Sequence, residues 1–406
     1  MTRSSFHALA LFLFASRSIY GIPWSPYYTL EISIVLIYAF AAANIAAPKD
    51  RHILFAVYLV LLLFLIIVSA FMSKLKFDQP VLMGIAARRD VLVSLIPAYF
   101  IVYRQQIYII DDIIEKFSIL LKAYILFSVC VSVIVDPVLV NATLADYEEW
   151  RLYLVDYSAS LGDYRYKFFL PWAGYLFTVY YLSGRSKSRF DLVVVWLFII
   201  WLIVFNAGRV ALVSMAILGV LTIFQNLKSR RGLGVVAIYI LLIPSVIAIG
   251  LMFVPQELLS NRIGGFLQAI YAVFGFNTDL IIDVSSKSRT LQFSSLISNM
   301  NFFDYVFGFG QLSSQWNGGF QQVFGRFHPA DLGLFGAIAV YGVVGIIIIL
   351  ISIGLIIPKS IFKNRSFVPV LGQITFLTVF WGQAFFQISF VLIYILILQF
   401  PKRPVN

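Results

Sequence analysis

Stretch after stretch of this chain is long and apolar enough to cross a hydrocarbon core, and few folds satisfy that constraint. A spanning helix needs roughly 20 apolar residues, fewer where it is tilted or buried. About twelve segments qualify: 6–20, 30–47, 52–73, 91–103, 117–140, 168–183, 192–205, 208–224, 235–254, 332–357, 367–381 and 384–400. Of the 406 residues, 61% are hydrophobic and 12% charged, a balance that would leave a soluble domain with an apolar surface. The runs are continuous rather than alternating, which excludes a transmembrane β-barrel. The chain therefore reads as an all-α, polytopic integral membrane protein with about twelve transmembrane helices in the lipid bilayer. The first segment has only Arg3 before it and no small-x-small cleavage site after it, so it reads as a span and not a signal peptide. Near the end, Gln373, Thr378, Trp381, Gly382, Gln383 and Gln387 predict a hairpin with a buried polar turn.

Charge orients the stack, because Lys and Arg accumulate in cytoplasmic loops. The basic loops are Lys49-Asp50-Arg51, Arg185 to Arg189, Lys228 to Arg231, Lys359 to Arg365 and the tail Lys402-Arg403. With twelve spans and both termini inside, all of them fall on one side. Residues 104–116 fall there too, with Asp111, Asp112 and Glu115 diluting their charge. This topology accounts for most of the net charge of +11, and no clustered basic face points to nucleic acid. The single cysteine, Cys130, lies in an apolar run and reads as a small core residue.

Two longer loops fall on the opposite side. Residues 141–167 are acidic, with Asp146, Glu148, Glu149, Asp156 and Asp163. Residues 254–341 form the one long polar stretch beyond the first fifty residues, with Arg262, Asp279, Asp283, Lys287, Arg289, Asp304, Arg326, His328 and Asp331. Within it, 263–276 and 291–303 have the spacing of helices lying on the membrane surface. The chain thus divides into 1–254 with the first nine helices and the loop 141–167, a large external loop over 255–331, and 332–406 with the last three helices.

External cations run against the topological bias and call for a reason. Arg88 and Arg89 precede the fourth span, with Asp90 as an adjacent partner; Arg165 and Lys167 precede the sixth. Arg209 sits in the short turn Asn206-Ala207-Gly208-Arg209, where it suits either a snorkelling anchor to lipid phosphates or a functional phosphate ligand. Interfacial anchoring and substrate binding are equally open for Arg165 and Lys167. Together with Arg289 and Arg326, such guanidiniums can hold a diphosphate through bidentate, charge-assisted hydrogen bonds and stabilise a departing phosphate. No cluster has metal-ligand spacing, so neither a metal nor another cofactor is expected. His328, in Arg326-Phe327-His328-Pro329-Ala330-Asp331, suits a general base on a hydroxyl or a structural capping role. Asp331 suits the N-terminus of the following span, or the orientation of His328.

These pieces in this order resemble the O-antigen polymerase and O-antigen ligase family of bacterial envelope glycosyltransferases. The resemblance lies in Asn206-Ala207-Gly208-Arg209-Val210-Ala211-Leu212, Ser288-Arg289-Thr290-Leu291, Val306-Phe307-Gly308-Phe309-Gly310, and His328-Pro329-Ala330-Asp331 leading to Tyr341-Gly342-Val343-Val344-Gly345. It implies a GT-C-like, inverting, metal-independent membrane glycosyltransferase in the bacterial inner membrane, with its site facing the periplasm. Donor and acceptor would be oligosaccharides on undecaprenyl pyrophosphate, and a chain-length regulator protein is a candidate partner. Arg209 and Arg289 would bind the pyrophosphate, His328 would act on the acceptor hydroxyl, and Arg165 would be a further donor contact. The family often has Asn after the histidine; this chain has Pro329, whose backbone lacks an N–H. A repeat-unit polymerase is expected first, because Phe302, Phe303, Tyr305, Phe307, Phe309, Trp316 and Phe320 in the external loop suit gripping sugar rings. A ligase that transfers the same donor to a lipid A core is the near alternative. A flippase is a third reading, disfavoured because the two halves do not resemble each other.

Overall fold

The computed structural model describes residues 13, 15, 49–103, 107–143, 154–158, 163–168, 170–186, 188–206, 209–226, 284–313, 315–324 and 329–399. The spans expected over 30–47 and 235–254, the surface helix expected over 263–276, and all but Leu13 and Ala15 of the span expected over 6–20 lie outside the described residues.

The described part is overwhelmingly helical. Helix α1 runs Lys49–Phe77, with Asp50 in its first turn and Lys74 and Lys76 in its last, each charge complementing the helix dipole. Asp78 at φ 58 ends it, and α2 (Val81–Arg88) folds back against it. A 3-10 turn, Arg89–Ser94, leads into the short buried α3 (Leu95–Val102). Helix α4 covers Ile107–Ile134, and α5 Pro137–Thr143. Strands β1 (Val155–Ser158) and β2 (Asp163–Tyr166) make an antiparallel hairpin inside the expected external loop. Then come α6 (Leu170–Leu182), α7 (Arg189–Trp201) closing in a π turn over Leu202–Asn206, and α8 (Arg209–Asn226). Three short elements follow: α9 (Val284–Asn299), α10 (Phe302–Phe307) and α11 (Phe320–Val323). A 3-10 turn, Pro329–Leu332, precedes α12 (Gly333–Ile356); α13 (Phe367–Trp381), α14 (Gln383–Phe386) and α15 (Ile388–Gln399) complete the chain.

Among the described residues, three stretches are helical, long and apolar enough to cross a membrane: Lys49–Phe77, Asp111–Ile134 and Gly333–Ile356. They mark the chain as a helical membrane protein. Of the shorter apolar helices, α13 and α15 pack on α12, and α8 packs on α13. The expected hairpin near the end forms: Gly382, at φ 60, stops α13, and Asn364 Nδ2 donates to Leu398 O at 2.8 Å, so the start of α13 meets the end of α15.

Three expectations are corrected. Helix α4 begins at Ile107 and not at 117, so Asp111, Asp112, Glu115 and Lys116 stand on a helix and not in a loop. Lys116 pairs with Asp112 one turn away, and Asp111 is held by Arg185, so these charges support the extra turns. The same helix stops at Ile134 and not at 140, because Pro137 cannot continue it. Cys130 is not in the core but on the exposed flank of α4; a lipid-facing surface accepts a small apolar side chain as readily as an interior does.

The helix ends sort into two sets. At one end His52 Nδ1 meets Tyr103 Oη at 2.8 Å, Arg185 reaches Asp111 at 3.1 Å and Ile397 O at 3.2 Å, and Ser366 Oγ donates to Leu182 O at 2.6 Å. The described basic segments, at 49–51, 185–186, 188–189 and 359–365, gather here together with the acidic start of α4, and we call it the basic end. At the other, the loop end, Trp316 Nε1 donates to Phe77 O, Arg88 to Phe385 O, Asn206 Nδ2 to Tyr166 O and Tyr166 Oη to Val135 O.

Candidate functional site at the loop end

The loop end is built around a broken helix. Inside α12, Gly342 adopts φ 64 and ψ 175, which no L side chain adopts without strain. With helical geometry interrupted there, the carbonyls of Ala339 and Val340 accept from the loop: Phe309 N donates to Ala339 O at 2.6 Å and Gly310 N to Val340 O at 3.0 Å. The approach is so close that a Cβ on Gly310 would stand 2.0 Å from Ser69 O, and one on Gly308 2.4 Å from Val340 O. Irregular backbone is tolerated beside membrane helices only where protein satisfies it, and here it is satisfied on both sides. Ser69 Oγ accepts from Gln311 N at 2.9 Å. The buried Gln79 donates to Gln311 O at 3.1 Å and accepts from Ser313 N at 2.8 Å.

A second lock sits above it. Asn301 caps α10 by accepting from Asp304 N, and Asp304 accepts in return from Asn301 N, both at 2.9 Å. Asp304 is 2% exposed and also takes a hydrogen bond from Lys76 Nζ at 2.7 Å. The pair joins the last turn of α1 to the loop.

The aromatic residues divide. Phe309 and Phe320 are buried: Phe309 stacks on Phe324 at 5.3 Å, and both it and Phe324 meet Phe77 edge-on at 5.9 Å. Their expected role in gripping sugar is therefore corrected, because their faces are spent on packing. Phe302, 84% exposed, and Phe303 remain open.

The expected site residues fall as follows. Arg88 is 4% exposed and faces into the bundle. Its Nη2 donates to Phe385 O at 3.2 Å and its Nη1 to Asp90 at 3.3 Å, while its guanidinium lies 4.6 Å from the centre of the Tyr341 ring. It pins α2 to the turn between α13 and α15. Arg89 is half-buried beside it. Arg165 stands on β2 opposite Asp156, and Lys167 N donates to Leu154 O at 2.9 Å. Tyr166, between them, has its hydroxyl pKa pushed up to about 12 by burial and by the charge of Asp136, so it stays a neutral donor to Val135 O. Asp331 is half-buried in the turn that opens α12. Arg209 opens α8 and Arg289 lies in α9 by backbone placement, their side chains lying outside the described residues. Arg326 and His328 lie outside the described residues. Among the described residues no three His, Cys, Asp or Glu side chains come together as a metal site would require.

Backbone register shows how the segments meet. Helices α8 and α13 run antiparallel: Gln373 Nε2 approaches Met215 Sδ at 3.6 Å, and Gly372 packs on Leu221. Six residues back from Met215 is Arg209, and six on from Gln373 is Val379, about 9 Å along each axis. The start of α8 is thus level with Val379. Gly333, the first residue of α12, packs on that same residue, since a Cβ there would stand 2.0 Å from Val379 O. Helix α9 packs on the Pro329–Leu332 turn, and Phe293, about one turn beyond Arg289, meets Phe335 edge-on at 4.9 Å. Asn206, just before Arg209, ties to the strand that carries Arg165. Segments far apart in sequence therefore reach one end of the bundle. The first-turn N–H groups of α8 face that end and favour an anion.

Sequence reasoning missed Lys76 and Gln79, and named Tyr341 only as part of a motif, with no contact to Arg88. Only the Asn301-x-x-Asp304 pattern carried a local signal, that of a helix cap; the other contacts join residues more than 200 positions apart. Comparison with protein-family models, with curated proteins and with solved structures returned no match to this chain.

Proposed function

We propose that this protein is a membrane-embedded, inverting glycosyltransferase that polymerises polysaccharide repeat units, with the loop end facing the periplasm and the basic end the cytoplasm. The donor is a glycan on undecaprenyl pyrophosphate, and the acceptor is the non-reducing end of another lipid-linked unit. The acceptor hydroxyl oxygen forms a bond to the anomeric carbon, and the bond from that carbon to the diphosphate oxygen breaks. Polyprenyl diphosphate leaves with the electron pair. The acceptor proton passes to His328 and then to water. Arg209 and Arg289 hold the diphosphate and neutralise the charge that grows on it as it departs.

The observation that carries this reading is that three segments reach one end of the bundle: the start of α8 with Arg209, level with Val379; the turn that directly follows His328 and leads into Gly333, which packs on Val379; and helix α9 with Arg289, which packs on that turn. Arg88, held by Phe385 O and Tyr341, acts as a brace of this region. A ligase that transfers the same donor to a lipid A core remains the second reading, favoured by one observation: Phe309 and Phe320, two of the rings assigned to sugar gripping, are buried.

The test supplies purified protein in detergent with lipid-linked repeat units. Longer glycans on the lipid support polymerisation. Elongation should be lost in Arg209→Ala and in Arg289→Ala at unchanged protein recovery. Intact substrate with the unaltered protein contradicts the polymerase, and transfer to lipid A core in its place selects the ligase. Because no membrane separates compartments in detergent, product formation also excludes a pure flippase.

A further inference from the structure

The basic end holds a cavity of about 540 Å³, on the opposite side of the bundle from the proposed reaction. We propose that it binds a phosphate ester bearing a hydroxyl or ammonium group, supplied as a phospholipid headgroup. This inference is independent of the glycosyltransferase reading.

The cavity is walled by the turn after α6, by α8, by the segment before α13 and by the end of α15. Ser183, Gln225, Ser360, Asn364, Arg365 and Gln399 carry its polar chemistry. Gln399 is only 8% exposed, and its Oε1 is buried with no hydrogen-bond partner. A buried acceptor in that condition is costly, and turning the Gln399 side chain toward a donor held in the cavity that it lines relieves the cost. Asn364 is not available for this. Its Nδ2 is given to Leu398 O at 2.8 Å and its Oδ1 accepts from Ser366 N at 2.9 Å, so it fixes the wall. Arg365 supplies the charge and makes no ion pair among the described residues.

These groups restrict the ligand. Among the described residues no carboxylate lines the cavity, so a metal ion or an organic cation finds no counter-charge beside Arg365 there. An apolar ligand would leave Gln399 Oε1 as it is. A phosphate satisfies Arg365, and a hydroxyl or ammonium on the same headgroup satisfies Gln399. The cavity lies at the ends of the shorter apolar helices α8, α13 and α15, a few residues past the end of the membrane-length helix α12. Phe224, next to Gln225, and Phe362, between Ser360 and Asn364, are exposed large apolar residues. Exposed apolar rings beside the cavity suit contact with acyl chains, which favours a lipid over a soluble ester.

The experiment measures thermal unfolding of the full chain in detergent against dihexanoyl phosphatidylglycerol, phosphatidylethanolamine and phosphatidylcholine, and against soluble glycerol 3-phosphate. The glycerol and ethanolamine lipids should bind at least ten-fold more tightly than the choline lipid, whose quaternary ammonium has no N–H to donate. Arg365→Ala, at an exposed position that folding does not need, should weaken the first two at least ten-fold. Gln399→Leu should abolish the preference over choline. Equal affinity for the three lipids, or unchanged affinity in Arg365→Ala, overturns the proposal. Glycerol 3-phosphate binding as tightly as the glycerol lipid upholds the site and assigns it to a soluble ester.

Discussion

The two ends of the bundle are held together by different physics. At the basic end the helices are tied by side chains. Arg185 bridges Asp111 and the carbonyl of Ile397, Lys122 reaches Asp191 at 2.5 Å, and Ser186 donates to the same Asp191. Burial lowers the pKa of Arg185, and the adjacent Asp111 carboxylate opposes that shift. At the loop end the main chain itself interlocks. Gly308 and Gly310 dock on the broken turn at Gly342 with their backbone atoms in contact, and side chains such as Asp304 and Gln79 only fasten what the backbone has shaped. Side-chain bridges tolerate drift of a few tenths of an ångström, whereas backbone docked on backbone does not. The loop end, where the reaction is proposed, is the one that uses glycine and main-chain contact.

That contrast can be broken by substitution. The largest effect is expected from Gly310→Val, which places a branched side chain at φ +78 against Ser69 O. A destabilisation beyond about 4 kcal/mol should follow, seen as loss of folded protein on detergent extraction. Asp304→Ala removes the reciprocal half of the capping box, the bond from Asn301 N, and the partner of Lys76, and should cost about 3 kcal/mol, read from thermal unfolding in detergent. Arg185→Ala should cost about 2 kcal/mol by the same measurement, since Asp111 is left partly solvated. Lys116→Ala, on an exposed one-turn pair, should cost less than about 0.5 kcal/mol. If Arg185→Ala proves as damaging as Gly310→Val, the contrast between the ends fails.

Much of the helical frame was legible because apolar runs of spanning length leave few alternatives. The helix Phe367–Trp381 has the bounds read from sequence, and the expected span over 52–73 lies inside α1. The start of α4 was not legible, because Asp111, Asp112, Glu115 and Lys116 read as a loop until Arg185, far along the chain, is seen to pair with Asp111. The break at Gly342 was hidden as well. A glycine in an apolar run has many ordinary uses, and only the docked loop shows why this one leaves the helix. Of the candidate site, sequence picked out Gly308-Phe309-Gly310 and Tyr341-Gly342 as separate pieces of a resemblance; their contact is main-chain and non-local, so no side-chain pattern announces it. Arg88 was marked as external and cationic, yet its neighbours Tyr341 and Phe386 enclose it, a packing result that charge counting does not reach.

The central claim is that arginines distant in sequence act on one diphosphate. Binding of a short-chain polyprenyl diphosphate to the purified protein, measured by calorimetry for Arg209→Ala, Arg289→Ala and the double variant, tests it directly. The account predicts at least a ten-fold loss of affinity in each single variant and a loss in the double variant smaller than the sum of the two in free energy, because both groups hold the same ligand. Unchanged affinity in either single variant, or strictly additive losses, would contradict it.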